Sequence, residues 1–433
     1  MIASLSGIRG ILNTDLSVAD VSRFATSFAK VTGSKEFLLA RDSRRTGPVM
    51  GKAVAAGMIS LGATVYDYGI ISTPALFRES RTRRLPAVMV TASHNEPEFN
   101  GLKFIVSGAG IGKETFESVM EGQKLQAGRF ERGFVKTARG PSYVNDLVEK
   151  FGAGSCEGVK VAVDLGGGAA ITHTVPLLRR LGCQVTSMND SYGIFNRIVD
   201  PVADELSLLC QVVKRKGCDV GLGFDCDGDR LVIVDSAGKK RTGDFMLTLA
   251  LSEILAETGE KKVVVSLDTT QAIDDVAKKT HAQVFRSKVG EANVVGLMKE
   301  RGARLGGEGS SGGLIDGSFN YCRDSMLAAL AILKALKGQG RGFYTSVPAY
   351  YQERLALRIP KAKAQRGMRK LAGKYDDVET TDGLKLILPK KCWVLVRPSG
   401  TEDVVRVSAE AGTSGRAVQL AKSFAKKLKE LSS

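Results

Sequence analysis

The sequence predicts an α/β protein with three similar α/β units and a smaller α+β unit at its C-terminal end, and three observations lead to this class. First, 433 residues are too many for one ordinary core, since domains usually contain roughly 100–200 residues. Second, one pattern recurs three times: an apolar strand that ends in Asp, a small or polar turn, a helix and a second strand. Third, the pattern changes from about residue 348 to short apolar strands and one terminal amphipathic helix.

The recurring pattern begins with FLLARDSRRTG (37–47), VKVAVDLGGGAA (159–170) and KVVVSLDTTQAI (262–272). Strands that alternate with helices imply mostly parallel sheets, whose ligands gather at the carboxyl ends of the strands. The spacing of the three segments is that of small domains. We therefore expect four domains, at residues 1–140, 141–242, 243–347 and 348–433.

The charge balance is strongly basic, with 62 Lys and Arg against 46 Asp and Glu and a net charge of +16. Such a balance can indicate a polyanionic partner. The positive residues, however, occur in short separate groups such as RDSRR (41–45), RTRR (81–84) and KRK (214–216), without interleaved aromatic residues. We interpret them as solvated surface and expect no nucleic-acid partner, although a basic nucleic-acid-binding protein is the alternative from another class.

Hydrophobicity and cysteine use indicate the compartment. Hydrophobic residues make up 43% of the chain and charged residues 25%, and no apolar run approaches the ~20 residues that cross a bilayer. The N-terminus shows no secretory signal pattern. Seven scattered cysteines without a C-x-x-C pair indicate reduced thiols. We expect a cytoplasmic protein without a membrane partner.

Three aspartates alternate in GFDCDGDRLVIVD (223–235), directly after an apolar strand. Asp225, Asp227 and Asp229 repel one another unless a cation neutralises them, and a ligand set that offers only oxygen suits Mg²⁺. An acidic turn that caps the strand is the alternative, although capping needs only one carboxylate. The loop is therefore a predicted magnesium site.

Two further loops carry groups suited to a phosphorylated, hydroxyl-rich ligand. RPSGTED (397–403) offers donors for a dianionic phosphate, with a hairpin turn of incidental polar residues as the alternative. LGGEGSSGG (305–313) allows close backbone approach and offers side chains that bind hydroxyls, with a flexible glycine loop as an equal alternative. The donor set is Arg397, Ser399, the backbone N–H groups around Gly400, Thr401 and Arg406, and the hydroxyl-binding side chains are Glu308 and Ser310.

Ser93 directly precedes His94 in TASHNEPEFNGLK (91–103), a stretch too rich in Asn, Pro and Gly for a strand or helix interior. A metal loop, a phosphate loop and a hydroxyl-binding loop together suggest phosphoryl transfer, which calls for a nucleophile such as Ser93. His94 would orient the phosphate, while Lys103 and Arg9 would stabilise charge on the transferring group. Without these companions, a structural role for His94 would be favoured.

These motifs, in this order, resemble the α-D-phosphohexomutase family of phosphoglucosamine mutases, phosphomannomutases and phosphoglucomutases. TASHNEPEFNGLK resembles the family's phosphoserine loop, DCDGDR its metal loop, GEGSSGG its sugar-specificity loop, RPSGTED its phosphate loop and SGIRG its opening segment. The resemblance spans residues 6–406. It implies four domains around a central cleft: three similar α/β domains with mixed sheets and a smaller C-terminal α+β domain.

The resemblance also implies a mechanism. Phosphorylated Ser93 gives its phosphoryl group to a free hydroxyl of a hexose phosphate, the bisphosphate reorients, and the other phosphate returns to Ser93. The expected cofactors are Mg²⁺, held by the three aspartates and a phosphoserine oxygen, and a hexose bisphosphate as intermediate and activator. By the same resemblance Lys288 in SKVGE faces the cleft, Glu308 and Ser310 bind sugar hydroxyls, and Arg397, Ser399, Gly400, Thr401 and Arg406 hold the phosphate that is not reacting.

One position departs from the pattern. Many family members end GEMSGH or GEQSGH in a histidine proposed for proton transfer, and the corresponding residue here is Gly312. The form GEG followed by small residues resembles phosphoglucosamine mutases, with phosphomannomutase or phosphoglucomutase as alternatives and an Asp-dependent sugar phosphatase as a rival enzyme. We expect a small phosphosugar substrate, and both a monomer and a homo-oligomer remain open.

Overall fold

The computed structural model describes residues 1–122, 132–398 and 404–432. Four sheets follow one another along this part of the chain. None of the described helices has the length and apolar content needed to cross a lipid bilayer. All seven cysteines are free thiols.

The first sheet has eight strands among the described residues. They are β1 (Ile2–Ser4), β2 (Gly7–Ile11), β3 (Glu36–Arg41), β4 (Thr64–Ile70), β5 (Ala87–Val90), β6 (Phe99–Val106), β7 (Ala109–Gly110) and β8 (Phe134–Thr137). The helices of this part are α1 (Val18–Thr32), α2 (Gly47–Ile59), α3 (Thr73–Arg83) and α4 (Lys113–Gly122). The strand order is β1-β2-β6-β5-β3-β4-β8, and β7 pairs with β6.

This first sheet is mixed, as the family resemblance implied, whereas the alternation of strands and helices alone suggested a mostly parallel sheet. The pairs of β3 with β4 and β5, and of β4 with β8, are parallel, whereas β6 runs antiparallel to both β5 and β2. The reason is the short connection between β5 and β6, which contains no helix; a parallel pair needs a crossover of a dozen or more residues. That short connection holds Ser93.

The second and third sheets have four strands each in the described residues and share one topology. The second contains β9 (Lys160–Asp164), β10 (Gln184–Met188), β11 (Val220–Phe224) and β12 (Leu231–Asp235), in the order β10-β9-β11-β12. The third contains β13 (Lys262–Ser266), β14 (Gln283–Ser287), β15 (Leu305–Glu308) and β16 (Gly313–Asp316), in the order β14-β13-β15-β16. The first three strands of each are parallel and the fourth is antiparallel.

The same order recurs in the first sheet as β4-β3-β5-β6, again with the fourth strand antiparallel. The prediction of three similar α/β units is therefore confirmed. Their remaining helices are α5 (Tyr143–Phe151), α6 (Thr174–Arg180), α7 (Ser207–Lys216), α8 (Gly243–Thr258), α9 (Ala272–Lys279), α10 (Glu291–Arg301) and α11 (Ser325–Gln339).

Helices α8 and α11 form the centre of the largest hydrophobic cluster, which joins the three α/β units. Both are apolar on nearly all sides, which is typical of a helix with no solvent-exposed face. Helix α11 begins at the N-cap residue Asp324, whose side chain accepts the backbone N–H groups of Met326 and Leu327. Thr242 caps α8 in the same way.

The fourth sheet is entirely antiparallel, as expected for an α+β unit. Its described strands are β17 (Tyr351–Leu357), β18 (Val378–Glu379), β19 (Leu384–Leu388), β20 (Cys392–Pro398) and β21 (Val405–Ala411), in the order β17-β21-β20-β19-β18. Helices α12 (Lys361–Ala372) and α13 (Ser414–Ser432) pack together beside it. Leu267 of the third unit packs with Trp393 and Leu395 of the fourth, which joins the two units.

Candidate active site

Ser93 is fully buried at the turn between β5 and β6, in a left-handed backbone conformation with φ of 52°. This conformation is costly for a residue other than Gly, on the order of 1–2 kcal/mol, so the surroundings must hold it. The Ser93 N–H donates to Thr91 Oγ1 at 2.8 Å, and the Ser93 carbonyl accepts from Arg44 at 2.7 Å. The Ser93 hydroxyl is thereby directed to Asp225, where Oγ donates to Oδ2 at 3.1 Å.

Arg44 holds the whole turn in place. Its buried guanidinium donates to the carbonyl oxygens of Ser93 (2.7 Å), Asn95 (2.7 Å), Phe99 (2.8 Å) and Glu96. Asp42 balances its charge with Oδ2 at 3.1 Å from Arg44 Nε. The interpretation of RDSRR as solvated surface is therefore wrong for Arg44, because a cluster of charges in sequence does not reveal which side chain points inward.

The stretch 91–103 is only partly a loop, contrary to expectation. Residues from Phe99 onward belong to β6, and Lys103 lies inside that strand. Asn100 and Gly101 are tolerated there because Asn100 bonds to Thr46 and a side chain at Gly101 would collide with the Ile8 carbonyl, 2.2 Å from its Cβ. The strand carries Lys103 from the sheet to the three aspartates.

The three aspartates form one buried cluster, as predicted. Asp225, Asp227 and Asp229 are fully buried, and one carboxylate oxygen from each lies within 4.8 Å of the others. Lys103 Nζ donates to Oδ2 of Asp227 at 2.7 Å and to Oδ2 of Asp229 at 2.9 Å. Oδ1 of Asp227 and Oδ1 of Asp229 are buried without a hydrogen-bond partner among the described residues.

The electrostatics of this cluster favour a bound cation. Burial, together with the charges of Asp227 and Asp229, raises the pKa of Asp225 well above its usual range. Burial also opposes the ionisation of Asp229, but the charges of Arg323, Lys103 and Arg230 lower its pKa overall. Two buried carboxylate oxygens without partners and an all-oxygen donor set fit a hard divalent cation.

A group of cations faces the aspartates. Arg9 donates to Asn95 Oδ1 at 2.9 Å, and its charge acts on His94 together with those of Arg230 and Arg323. Burial in the first place, and then these three arginines, lower the pKa of His94, so its imidazole is neutral. The neutral ring leaves the positive charge of the site on the arginines and Lys103.

Arg230 and Arg323 were missed by the sequence analysis. Arg230 is the last residue of DCDGDR, directly after the third aspartate, and its NH1 lies 3.0 Å from Asp200. Its position in a motif already singled out could have revealed it. Arg323 belongs to no recognised motif, and only the fold places it beside Asp229 and Glu308.

The predicted sugar-specificity loop begins at Glu308, the last residue of β15, and continues through a 3₁₀ turn at Gly309–Ser311. Glu308 is buried; Oε1 accepts the Gly290 N–H at 2.7 Å, and Oε2 lies 3.2 Å from Arg323 NH1. Burial raises the pKa of the Glu308 carboxyl. Ser310 is half-buried on the turn, and Lys288 is exposed two residues before Gly290.

The predicted phosphate loop is described only at its two ends. Arg397 on β20 and Arg406 on β21 are directly opposite each other across the antiparallel pair. Two guanidinium groups on one face of a sheet can both donate to a dianionic phosphate. Arg397 Nε lies 3.8 Å from Asp382, whose carboxylate accepts the Val289 N–H at 3.0 Å. The predicted residues Ser399, Gly400 and Thr401 lie outside the described residues.

Three of the predicted loops meet, and the described end of the fourth is linked to them. Direct contacts join Ser93 and Lys103 to the three aspartates, Arg323 joins Asp229 to Glu308, and Asp382 joins the phosphate end to the segment beside Gly290. Each loop comes from a different sheet, so the site exists only when all four units are folded together.

Comparison with protein-family models gives four matches that cover most of the chain. They are described as phosphoglucomutase/phosphomannomutase alpha/beta/alpha domains I, II and III, which match residues 2–125, 141–238 and 242–353, and the C-terminal domain, which matches residues 355–427. The chain belongs to the phosphoglucomutase/phosphomannomutase family. It is therefore a phosphohexomutase, an isomerase, as the sequence predicted.

Relatives of this phosphoglucomutase/phosphomannomutase chain match it along its whole length. It is 33% identical to a protein named "probable phosphoglucosamine mutase" from Methanopyrus kandleri, over 97% of this chain and 96% of the relative. It is 31% identical to a "phosphoglucomutase/phosphomannomutase" from Thermococcus kodakarensis, over 95% and 94% of the two chains. A crystal structure of a family protein from Burkholderia thailandensis has the same fold, with a TM-score of 0.88, 24% identity and coverage of 99% and 98%.

Proposed function

We propose that this phosphohexomutase interconverts the 1-phosphate and 6-phosphate of a hexosamine by way of a phosphoserine at Ser93 and a bisphosphate intermediate. The observation that carries this proposal is the position of Ser93, buried in a strained turn with Oγ 3.1 Å from Asp225 in a cluster of three aspartates. A structural serine has no need of such a conformation or of such neighbours.

The proposed reaction begins with phosphorylated Ser93. The bond from phosphorus to Ser93 Oγ breaks, a new bond forms from phosphorus to the free substrate hydroxyl, that hydroxyl loses its proton, and Oγ takes one up. Lys103 carries positive charge to the transferring group, because the carboxylates of Asp227 and Asp229 raise its pKa despite burial. Arg9 and Arg230 complete the positive surroundings, and neutral His94 offers a hydrogen bond.

Mg²⁺ is the cation that we propose for this site. Asp225, Asp227, Asp229 and an oxygen of phosphorylated Ser93 would hold it, and the two partnerless Oδ1 atoms support this assignment. When bound, it would neutralise charge on the phosphoryl oxygens. A hexose bisphosphate would serve as the intermediate and as the activator that returns the enzyme to its phosphorylated form.

The two ends of the substrate would be bound by different units. Glu308 and Ser310 would bind sugar hydroxyls or an amine, with Lys288 at the edge of the site. Arg397 and Arg406, with Ser399, Gly400 and Thr401, would hold the phosphate that is not reacting. Because the two phosphates exchange roles, the bisphosphate must reorient in the site between the two half-reactions.

Glucosamine phosphate is the substrate that we propose. Several full-length relatives at 30–33% identity carry the name phosphoglucosamine mutase, while one at 31% is named phosphoglucomutase/phosphomannomutase. Glucose and mannose phosphates are therefore the alternatives. We further propose a cytoplasmic enzyme that acts without a nucleic-acid partner, either as a monomer or as a homo-oligomer.

A side-by-side assay tests the proposal. Glucosamine 6-phosphate, glucose 6-phosphate and mannose 6-phosphate are each supplied with Mg²⁺ and a trace of the matching bisphosphate, and both 1-phosphate and inorganic phosphate are measured. We expect the highest kcat/KM for glucosamine 6-phosphate and little inorganic phosphate. Preference for another hexose would change the substrate assignment, whereas stoichiometric release of inorganic phosphate would identify a phosphatase.

A further inference from the structure

Arg323, in the segment between β16 and α11, is a buried cation that contacts acidic side chains from three other loops. Its NH2 lies 2.8 Å from Asp229 Oδ2, and its NH1 lies 3.2 Å from Glu308 Oε2. Its Nε lies 3.3 Å from Glu291 Oε2, which also accepts the Arg323 backbone N–H at 2.9 Å. One guanidinium therefore joins the metal loop, the sugar-specificity loop and the start of α10.

Two adjacent glycines make room for this arrangement. A Cβ at Gly313 would lie 2.2 Å from Arg323 Cδ, so the arginine stem occupies the space that a side chain there would need. Gly312 has a φ of +65°, and its Cβ would lie 2.3 Å from the carbonyl oxygen of Leu231. Side chains at both positions are therefore excluded, which leaves room for the stem of Arg323.

We propose that Arg323 is a positioning residue that holds the metal ligand Asp229 and the sugar-binding Glu308 in one fixed arrangement. This inference rests on the proposed function, which assigns those roles to the two carboxylates. Arg323 and Lys103 both occupy Oδ2 of Asp229, which leaves Oδ1 free for a cation. Arg323 and the Gly290 N–H occupy the two oxygens of Glu308 and so orient that carboxylate.

Only an arginine can fill this role. The planar guanidinium has five donors in a rigid fork and can reach three separate carboxylates at once, whereas a lysine ammonium is a single point of charge. Arg323→Lys therefore keeps the buried positive charge but loses the bridge. A residue that merely neutralised buried charge would tolerate this exchange, so the lysine variant separates the two explanations.

The first test measures metal binding without turnover. Mn²⁺ is titrated into the resting wild-type protein and into Arg323→Lys, and bound ion is followed by electron paramagnetic resonance. We expect the variant to bind Mn²⁺ about tenfold to a hundredfold more weakly, the usual cost of removing a residue that orients a metal ligand. Arg304→Lys is the matched control, since Arg304 pairs with Asp316 at the other end of the same sheet, and its Mn²⁺ affinity should match wild type.

The second test measures coupling to Glu308. kcat and KM are compared for Arg323→Lys, Glu308→Gln and the double variant with the three hexose 6-phosphates. We expect Arg323→Lys to lower kcat more than it raises KM, and the double variant to lose less than the two single losses combined, because part of the effect of the arginine passes through the glutamate. Fully additive losses would overturn the proposed link to Glu308.

Three further results separate the positioning role of Arg323 from the proposed function. Arg323→Lys that folds, binds Mn²⁺ like wild type and keeps its kcat would overturn the positioning role while leaving the proposed function intact. Should that variant fail to fold, Glu291→Gln loosens Arg323 without altering a proposed ligand, and it should weaken Mn²⁺ binding severalfold; unchanged binding would overturn the inference. A wild-type enzyme without mutase activity would refute the proposed function, and the Mn²⁺ titration would still test the link between Arg323 and Asp229.

Discussion

Ser93 combines a strained backbone with a side chain that makes one hydrogen bond among the described residues. Its backbone N–H and carbonyl carry the hydrogen bonds that fix the turn, while its hydroxyl donates to Asp225. The main chain of Ser93 thus stabilises the turn, whereas its side chain is available for chemistry. A substitution that removes Oγ should leave the fold unchanged.

We therefore predict that Ser93→Ala abolishes turnover at an unchanged thermal midpoint. The variant keeps both backbone contacts but has no atom to carry the phosphoryl group. The measurements are steady-state rates and a thermal unfolding curve. More than about 1% of wild-type kcat/KM with normal substrate binding would refute the phosphoserine assignment.

Asp227 uses one oxygen for protein contacts and leaves the other free. Oδ2 accepts from Lys103 at 2.7 Å and from Thr73 at 2.5 Å, and Oδ1 has no partner among the described residues. Asp227→Asn must turn its NH₂ either toward the Lys103 ammonium or toward the cation. We predict at least a roughly tenfold rise in the Mg²⁺ concentration for half-maximal activity.

The control for this change is Asp235→Asn, which alters a buried carboxylate at the far end of the same β11–β12 hairpin. Its Mg²⁺ requirement should equal that of wild type. If Asp227→Asn also keeps the wild-type requirement, or if exhaustive chelation leaves full activity, the aspartate cluster does not hold the catalytic cation.

At the scale of single elements, the turn after β5 depends on Arg44. Its guanidinium donates to the carbonyl oxygens of Ser93, Asn95 and Phe99, and a Lys there offers its donors at one point only. We predict that Arg44→Lys lowers the free energy of unfolding by on the order of 2 kcal/mol or more and lowers kcat by misplacing Ser93.

Arg45→Lys is the matched control, since Arg45 is the exposed neighbour of Arg44. It should change neither the unfolding curve nor kcat. Equal behaviour of the two variants, checked by thermal melts and by limited proteolysis of the turn, would show that Arg44 does not hold the turn.

The contrast between Arg44 and Asp225 shows what the sequence could and could not reveal. Each predicted loop is a contiguous run, so the types and spacing of its residues were enough to suggest a hypothesis for its chemistry. Arg44 bonds to Ser93 across 49 positions, Thr73 to Asp227 across 154, and Arg323 to Asp229 across 94. Such long-range contacts depend on how the units pack, and a local sequence pattern cannot predict them.

For the strands and helices, too, local features could be predicted from the sequence and long-range ones could not. Strand and helix alternation predicted three related units, because the periodicity of each segment is local. The direction of β6 was not predictable from alternation alone, since it depends on the absence of a helix in the turn that holds Ser93. In each unit, the turn into the antiparallel fourth strand places a predicted site loop at the carboxyl end of the third strand.

At the scale of the whole molecule, the fourth unit is attached to the third through a buried lysine. Lys385 on β19 is almost fully buried, donates to the Leu267 carbonyl at 2.7 Å and lies 4.6 Å from the centre of the Trp393 ring. Burial, and then the charge of Arg286, lower its pKa from 10.5 to about 7, although Glu379, Glu410 and Asp274 oppose the shift.

This shift predicts a pH dependence of stability. Between about pH 7 and pH 10.5 the unfolded chain binds a proton at Lys385 that the folded protein does not, so the stability contributed by this residue rises with pH across that window. Below about pH 7 both states are protonated and the cost of the buried charge is fully present. The thermal midpoint of wild type minus that of Lys385→Met should therefore increase from pH 7 to pH 10.

The exposed lysine Lys374 supplies the control, because Lys374→Met alters a solvated charge in the same unit. Its midpoint should follow wild type at every pH. A constant difference between wild type and Lys385→Met across the window would mean that Lys385 stays protonated in the folded protein.

The central claim is that one phosphoryl group passes from Ser93 to the substrate while the other phosphate of the bisphosphate replaces it. A single-turnover experiment tests this directly: enzyme phosphorylated with isotopically labelled phosphate is mixed with unlabelled glucosamine 6-phosphate and quenched, and the Ser93 peptide and the sugar phosphates are analysed by mass spectrometry. The account predicts that label leaves Ser93, appears in the bisphosphate and the 1-phosphate product, and is replaced on Ser93 by unlabelled phosphate. Label that remains on Ser93 while product forms, or that appears as inorganic phosphate, would contradict it.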